Sequence, residues 1–176
     1  MKATGRTLTL RGTTEPFLCN GDWYSENILD YANVLDISKA WKLRWFEIWT
    51  VDSLGLSSAG SGYEIALESI LSTELPNPVE NRADDNRLIA WSNQAYTLGG
   101  KVTGTNSQGI LGHQVVIDPD HIIQKELNIS FRLLGGSTFE NTTTMTNYIV
   151  YLEEYEITPT ESIVSTIKQS AQSLNQ

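Results

Sequence analysis

Cysteine, histidine and basic side chains are all scarce in this chain, and each scarcity removes a class of explanation. The one cysteine, Cys19, rules out an intrachain disulfide. That suits folding in a reducing compartment such as the cytoplasm. Two histidines, His113 and His121, cannot supply the multi-histidine metal set of a cupin-type enzyme. Twelve Lys and Arg against 21 Asp and Glu leave a formal charge of -9, which argues against a surface built to wrap nucleic acid. No run approaches the roughly 18 apolar residues of a membrane-crossing helix. Residues 1–12, MKATGRTLTLRG, lack the apolar core of a signal peptide, so no export signal is expected.

What is present is enough for one domain. The chain has 176 residues, 40% of them apolar, and β-sandwiches of this size fold as single units. The dominant pattern is alternation of apolar and polar residues, the mark of half-buried strands. It recurs at residues 4–11, 41–51, 63–71, 87–96, 112–117, 123–133 and 147–157. In the first run Leu8 and Leu10 share a face. In 63–71 Tyr63, Ile65, Leu67 and Leu71 oppose Glu64 and Glu68. In 123–133 Ile123, Leu127, Ile129, Phe131 and Leu133 oppose Gln124, Glu126, Asn128, Ser130 and Arg132. An eighth strand fits between Phe17 and Tyr31, although 25–39 also suits a helical turn. Polar loops rich in Gly, Ser, Asn and Pro separate the runs at 52–62, 74–85, 97–108 and 135–144. The expectation is an all-β, antiparallel jelly-roll β-sandwich of about eight strands.

One helix is expected at the end. Thr158-Pro159-Thr160-Glu161 forms a capping box with proline at the first helical position. Ile163, Val164, Ile167, Ala171 and Leu174 then recur at helical spacing. So short a helix is marginal alone, and its stripe needs a partner. The chain divides into a sandwich, 1–157, and a helix, 158–176, packed on the same domain or on a neighbouring subunit. Ile163, Val164, Ile167 and Leu174 are the candidate assembly contacts.

Candidates for chemistry are few. Asp118-Pro119-Asp120-His121 offers hard ligands for a divalent ion, but neighbouring residues seldom converge on one ion, and Asp-Pro between strands is an ordinary turn. Glu153, Glu154 and Glu156 could serve glycoside hydrolysis only with an opposing carboxylate; a solvated or edge-protecting face is the simpler reading. Leu98-Gly99-Gly100-Lys101 lacks the spacing of a phosphate loop. No nucleophile elbow occurs. The chain is expected to be no enzyme and to need no cofactor or metal.

Trp41, Trp45 and Trp49 recur every four residues with Leu43 and Glu47 between them. Exposed, the row would be a platform for sugar rings; buried, it fills the core, which the intervening Leu43 favours. Lys2, Arg6 and Arg11 make the first eleven residues basic and are candidates for weak phosphate contacts.

Residues 116–123, VIDPDHII, with the strand running to Leu133, the run 148–157, YIVYLEEYEI, and the capped helix together resemble structural proteins of small tailless viruses with single jelly-roll capsids. Residues 85–91, DNRLIAW, extend the likeness to about half the chain. The resemblance implies many copies assembling with themselves, and with other capsid proteins, into an icosahedral shell. It implies a virion location after folding in the host cytoplasm, no enzymatic centre, no membrane partner, and at most weak nucleic-acid contact at the N-terminus. The chain departs from such proteins in lacking an arginine-rich arm, which leaves a minor capsid, penton or spike role open. The alternative from another class is a carbohydrate-binding β-sandwich using exposed tryptophans or loop aromatics such as Tyr63 and Tyr96.

Overall fold

The computed structural model describes residues 1–30, 38–51, 63–98, 108–135, 139–140 and 142–173. The described strands are β1 (Lys2–Thr13), β2 (Phe17–Leu18), β3 (Tyr24–Asp30), β4 (Lys39–Thr50), β5 (Tyr63–Ser72), β6 (Leu88–Leu98), β7 (Gln108–Ile117), β8 (Glu126–Leu134), β9 (Thr143–Thr144) and β10 (Thr146–Glu156), followed by helix α1 (Pro159–Ser173). They form a three-stranded sheet in the order β1-β10-β4, a five-stranded sheet in the order β3-β8-β5-β6-β7, and the short pair β2-β9. Every pairing is antiparallel. The segment from 25 to 30 is strand and not helix; the rest of the alternative helical segment, 31–37, lies outside the described residues.

The two larger sheets face each other over one core, which makes the molecule an all-β sandwich. Alternation delivers one face of each long strand to that core. Ile65, Leu67 and Leu71 from β5, Leu127, Ile129, Phe131 and Leu133 from β8, and Phe46, Ile48, Val150 and Leu152 from the opposing sheet are all buried. Phe17 closes one region of the core, with its ring edge-on to Phe131 at 4.8 Å between centroids. Full burial of each such side chain contributes roughly 1.5–3 kcal/mol, so this shared interior dominates the stability. Gln94 also ties the sheets together by donating to the Ile48 carbonyl at 2.6 Å.

Two irregularities steer the three-stranded sheet. β1 shifts register between Ala3 and Thr7, and Gly5 there has a φ of 80°, a backbone state that glycine adopts without strain. β4 shifts between Leu43, opposite Leu152, and Trp45, opposite Tyr151, so that Arg44 is an extra, unpaired residue. A bulge of this kind reverses which residues of a strand face inward. Leu43 faces the core before it, and Phe46, Ile48 and Thr50 face the core after it.

Candidate functional site

Three places concentrate chemically useful residues: α1, a cleft beside it, and the outer face of the three-stranded sheet.

Helix α1 starts as its sequence dictates. The Glu161 carboxylate accepts the Thr158 backbone N–H at 2.7 Å, and the Thr158 hydroxyl oxygen accepts the Glu161 N–H at 3.3 Å. These contacts, with the Met1 amine 3.0 Å from Glu161, hold the Glu161 carboxyl below its usual pKa. The side of the helix that meets the sandwich is polar. Ser162 is buried and accepts a bond from Gln124 at 2.7 Å. The apolar stripe points away: Ile163 is 58% exposed, Val164 47% and Ile167 60%. Ile163 and Ile167 thus face solvent, and Val164 lies at the edge of a cleft against the sandwich. Helical periodicity turns each of the three about 100° or more away from Ser162, the residue bonded to Gln124. Leu174 lies outside the described residues.

Beside α1 lies a cleft of about 320 Å³, with Met1, Ile122 and Val164 as its apolar part and Asp118, Asp120 and Lys168 at its rim. The Asp118–Asp120 segment is a turn, in which Asp118 accepts the Asp120 N–H at 3.0 Å. Among the described residues no three His, Cys, Asp or Glu side chains are grouped to hold a metal ion. His121 instead turns inward, its Nε2 3.3 Å from the Thr73 hydroxyl and its side chain only 10% exposed. Burial pushes its pKa down to about 4; Asp118 opposes that shift in part and Lys168 adds to it.

The tryptophan row does not exist as a row. The bulge at Arg44 splits it: Trp41 is half-buried against the core, whereas Trp45, 45% exposed, and Trp49 lie on the outer face. Tyr151, directly opposite Trp45, is 37% exposed. Arg44 donates to Glu153 and to the Tyr155 hydroxyl, and the hydrogen bond from Arg44 holds the Glu153 carboxyl below its usual pKa. Of the loop aromatics, Tyr96 is buried in β6 and donates to Gln94. Burial raises its pKa to about 12. It offers no ring to a ligand. Tyr63 begins β5.

The acidic run also divides. Glu156 is exposed, but Glu154 is buried, accepts the Thr4 hydroxyl at 2.8 Å, and lies 3.9 Å from Arg6. It belongs to β10, the middle strand of its sheet, so an edge-protecting role is corrected. Lys2, Arg6 and Arg11 are all exposed on β1 but do not converge. Arg6 reaches toward Glu154, while Arg11, opposite Ile149, follows the inward Leu10 and so falls on the outer face.

Sequence reasoning missed the buried pair Asp85–Arg87. Arg87 Nε and Nη2 both donate to the Asp85 carboxylate, at 2.9 and 2.6 Å, with both side chains about 5% exposed. Burial alone would raise the Asp85 pKa, but the bonds from Arg87 outweigh it and lower the value. Opposite charges two residues apart, just before a strand, were the available signal.

No protein-family model matches the chain, and no curated protein matches it. Among solved structures, the tailspike protein of Acinetobacter baumannii phage AM24 aligns at 9% identity and a TM-score of 0.17, over 86% of this chain and 26% of that one. This chain thus spans a small part of the tailspike's length, and a likeness of that degree indicates neither fold nor function.

Proposed function

We propose that the chain is a jelly-roll structural subunit that self-assembles into a closed viral shell. The observation that carries the reading is the outward apolar stripe of α1, formed by Ile163, Val164 and Ile167 on a helix whose polar side is held by the sandwich. Each such side chain gains roughly 1.5–3 kcal/mol on full burial. The occupant in this reading is a second copy of the same chain. The cleft beside α1 has an apolar part formed by Met1 and Ile122. Each subunit thus offers a stripe and a receiving surface side by side. A head-to-tail contact of that kind closes into rings or shells when its rotation closes. A charge of -9 repels copies at long range, so assembly depends on these short-range contacts and strengthens with salt.

Strand order supports the jelly-roll form. With the short pair β2-β9 set aside, the first long strand lies beside the last, the second (β3) beside the last but one (β8), and β8 also flanks β5. β7 departs from the regular pattern by staying on β6, yet part of it comes close to β4 of the other sheet. The partners in this reading are the chain itself and other capsid proteins, and the location is the virion.

The test is negative-stain imaging with sedimentation of the purified chain. Rings or shells that an Ile163→Lys, Ile167→Lys double variant dissolves into folded monomers are expected. A strictly monomeric wild-type chain at high concentration, across salt and pH, overturns the proposal.

A further inference from the structure

The outer face of the three-stranded sheet has a composition that the shell reading leaves unused. Trp45 and Tyr151 are cross-strand partners, both substantially exposed. Directly opposed residues hold their Cβ atoms about 5 Å apart, so the two exposed aromatic side chains are neighbours on this face. Thr9 on β1 completes the same row. The next outward row is Arg11, Ile149 and Glu47, which puts a guanidinium and a carboxylate beside the rings. On the other side lies Glu153, which Arg44 bonds.

The exposure follows from the bulge. Had the alternation of Trp41 and Leu43 continued through Arg44 without a bulge, Trp45 would point inward and enter the core. The bonds from Arg44 to Glu153 and Tyr155 pin that residue on the outer surface and so hold the indole outward.

We infer that Trp45 and Tyr151 form a stacking platform for a neutral pyranose sugar, with Glu47, Arg11 and Thr9 as hydrogen-bonding partners for its hydroxyls. A pyranose ring has an apolar C–H face and a polar equatorial rim, and this surface has the complementary arrangement of flat apolar rings and polar margin. Two competing occupants fit less well. A stable contact between copies buries about 800 Å² per partner around an apolar centre, whereas here the adjoining rows carry the charged Arg11, Glu47, Glu153 and Lys42, with Ile149 as their one apolar member. Nucleic acid is disfavoured by the charge of -9 on the chain as a whole. The inference stands apart from the shell reading and uses none of the residues of α1.

The experiment titrates the full chain with cellohexaose, xylohexaose, mannohexaose, chitohexaose and N-acetyllactosamine, following tryptophan fluorescence and calorimetric heat. A saturable response to at least one sugar is expected. Trp45→Ala and Tyr151→Ala should each weaken it about tenfold, a typical size for one lost stacking ring. Trp41→Phe, on the inner side, should leave it unchanged. Circular dichroism and sedimentation of each variant separate lost binding from lost folding. The absence of saturable binding to every sugar overturns the inference. So does binding indifferent to both platform variants, or a Trp45→Ala effect confined to self-association, which would assign the face to a second copy.

Discussion

The two sheets of the sandwich differ in where unpartnered hydroxyls and exposed rings lie, although the five-stranded sheet also exposes Val116 and Leu134 and the three-stranded one also buries Glu154. The five-stranded sheet hides polar groups: Ser69, Ser72, Ser92, Gln94, Asn128 and Ser130 are all buried, and among the described residues the hydroxyls of Ser69, Ser72 and Ser92 find no hydrogen-bond partner. The three-stranded sheet shows apolar ones, with Trp45 and Tyr151 turned to solvent and α1 following it with three exposed branched side chains. A buried hydroxyl without a partner costs about 1–3 kcal/mol, and an exposed ring forgoes a comparable gain. The first sheet therefore behaves as a structural wall, and the second, with its helix, presents the surfaces that remain to be covered.

The contrast is sharpest at charged groups, where the largest effects are expected. Asp85→Asn would leave the Arg87 guanidinium buried beside a neutral amide, and loss of one partner of a buried pair costs about 3–5 kcal/mol. Urea unfolding at neutral pH measures it, and a change under about 1 kcal/mol would show that the pair does not anchor the start of β6. Next comes His121. Its folded pKa is lowered to about 4 from an ordinary 6.5, so the unfolded chain binds the extra proton first as pH falls. Its contribution is complete above pH 6.5 and disappears progressively toward pH 4, about 3 kcal/mol in all. His121→Gln should flatten that part of the wild-type stability curve, and parallel curves for the two proteins would contradict it.

Cys19 offers a kinetic test. Burial raises its thiol pKa to about 11 from 9, which cuts the thiolate fraction about a hundredfold at pH 8. Iodoacetamide should label the native chain at least that much more slowly than the urea-unfolded chain. Equal rates would show that the core beside β2 opens readily.

The smallest effects separate the sheets directly. Ser69→Ala removes an unpartnered buried hydroxyl and should stabilise by about 1 kcal/mol. Trp45→Ala on the opposite sheet should cost less than about 1 kcal/mol despite the size of the side chain, because the ring is 45% exposed. A loss of 3 kcal/mol or more there would mean that the indole serves packing after all.

Legibility in the sequence followed the range of the interactions involved. β8 read correctly because its alternation is unbroken from Leu127 to Leu133, and all five residues assigned to its inner face, with Ile123, are buried. The capping box read correctly because its bonds join residues three apart. β4 failed because one inserted residue inverts a period of two, and nothing local in WKLRWFEIWT announces where the ladder slips. Glu154 failed because its partners Thr4 and Arg6 lie far away in the chain.

By itself, then, the sequence determined what nearest neighbours along the chain can determine. That includes an all-β domain, the faces of its regular strands, and a capped helix with an apolar stripe. Only the tertiary structure decided which of those surfaces stays open. The bulge at Arg44 is located by pairing with β10 and turns Trp45 outward, and the bond from Gln124 to Ser162 leaves Ile163 and Ile167 facing solvent. Both outcomes depend on contacts between residues distant in sequence, and the alternation of side chains along a single strand or helix contains no term for them.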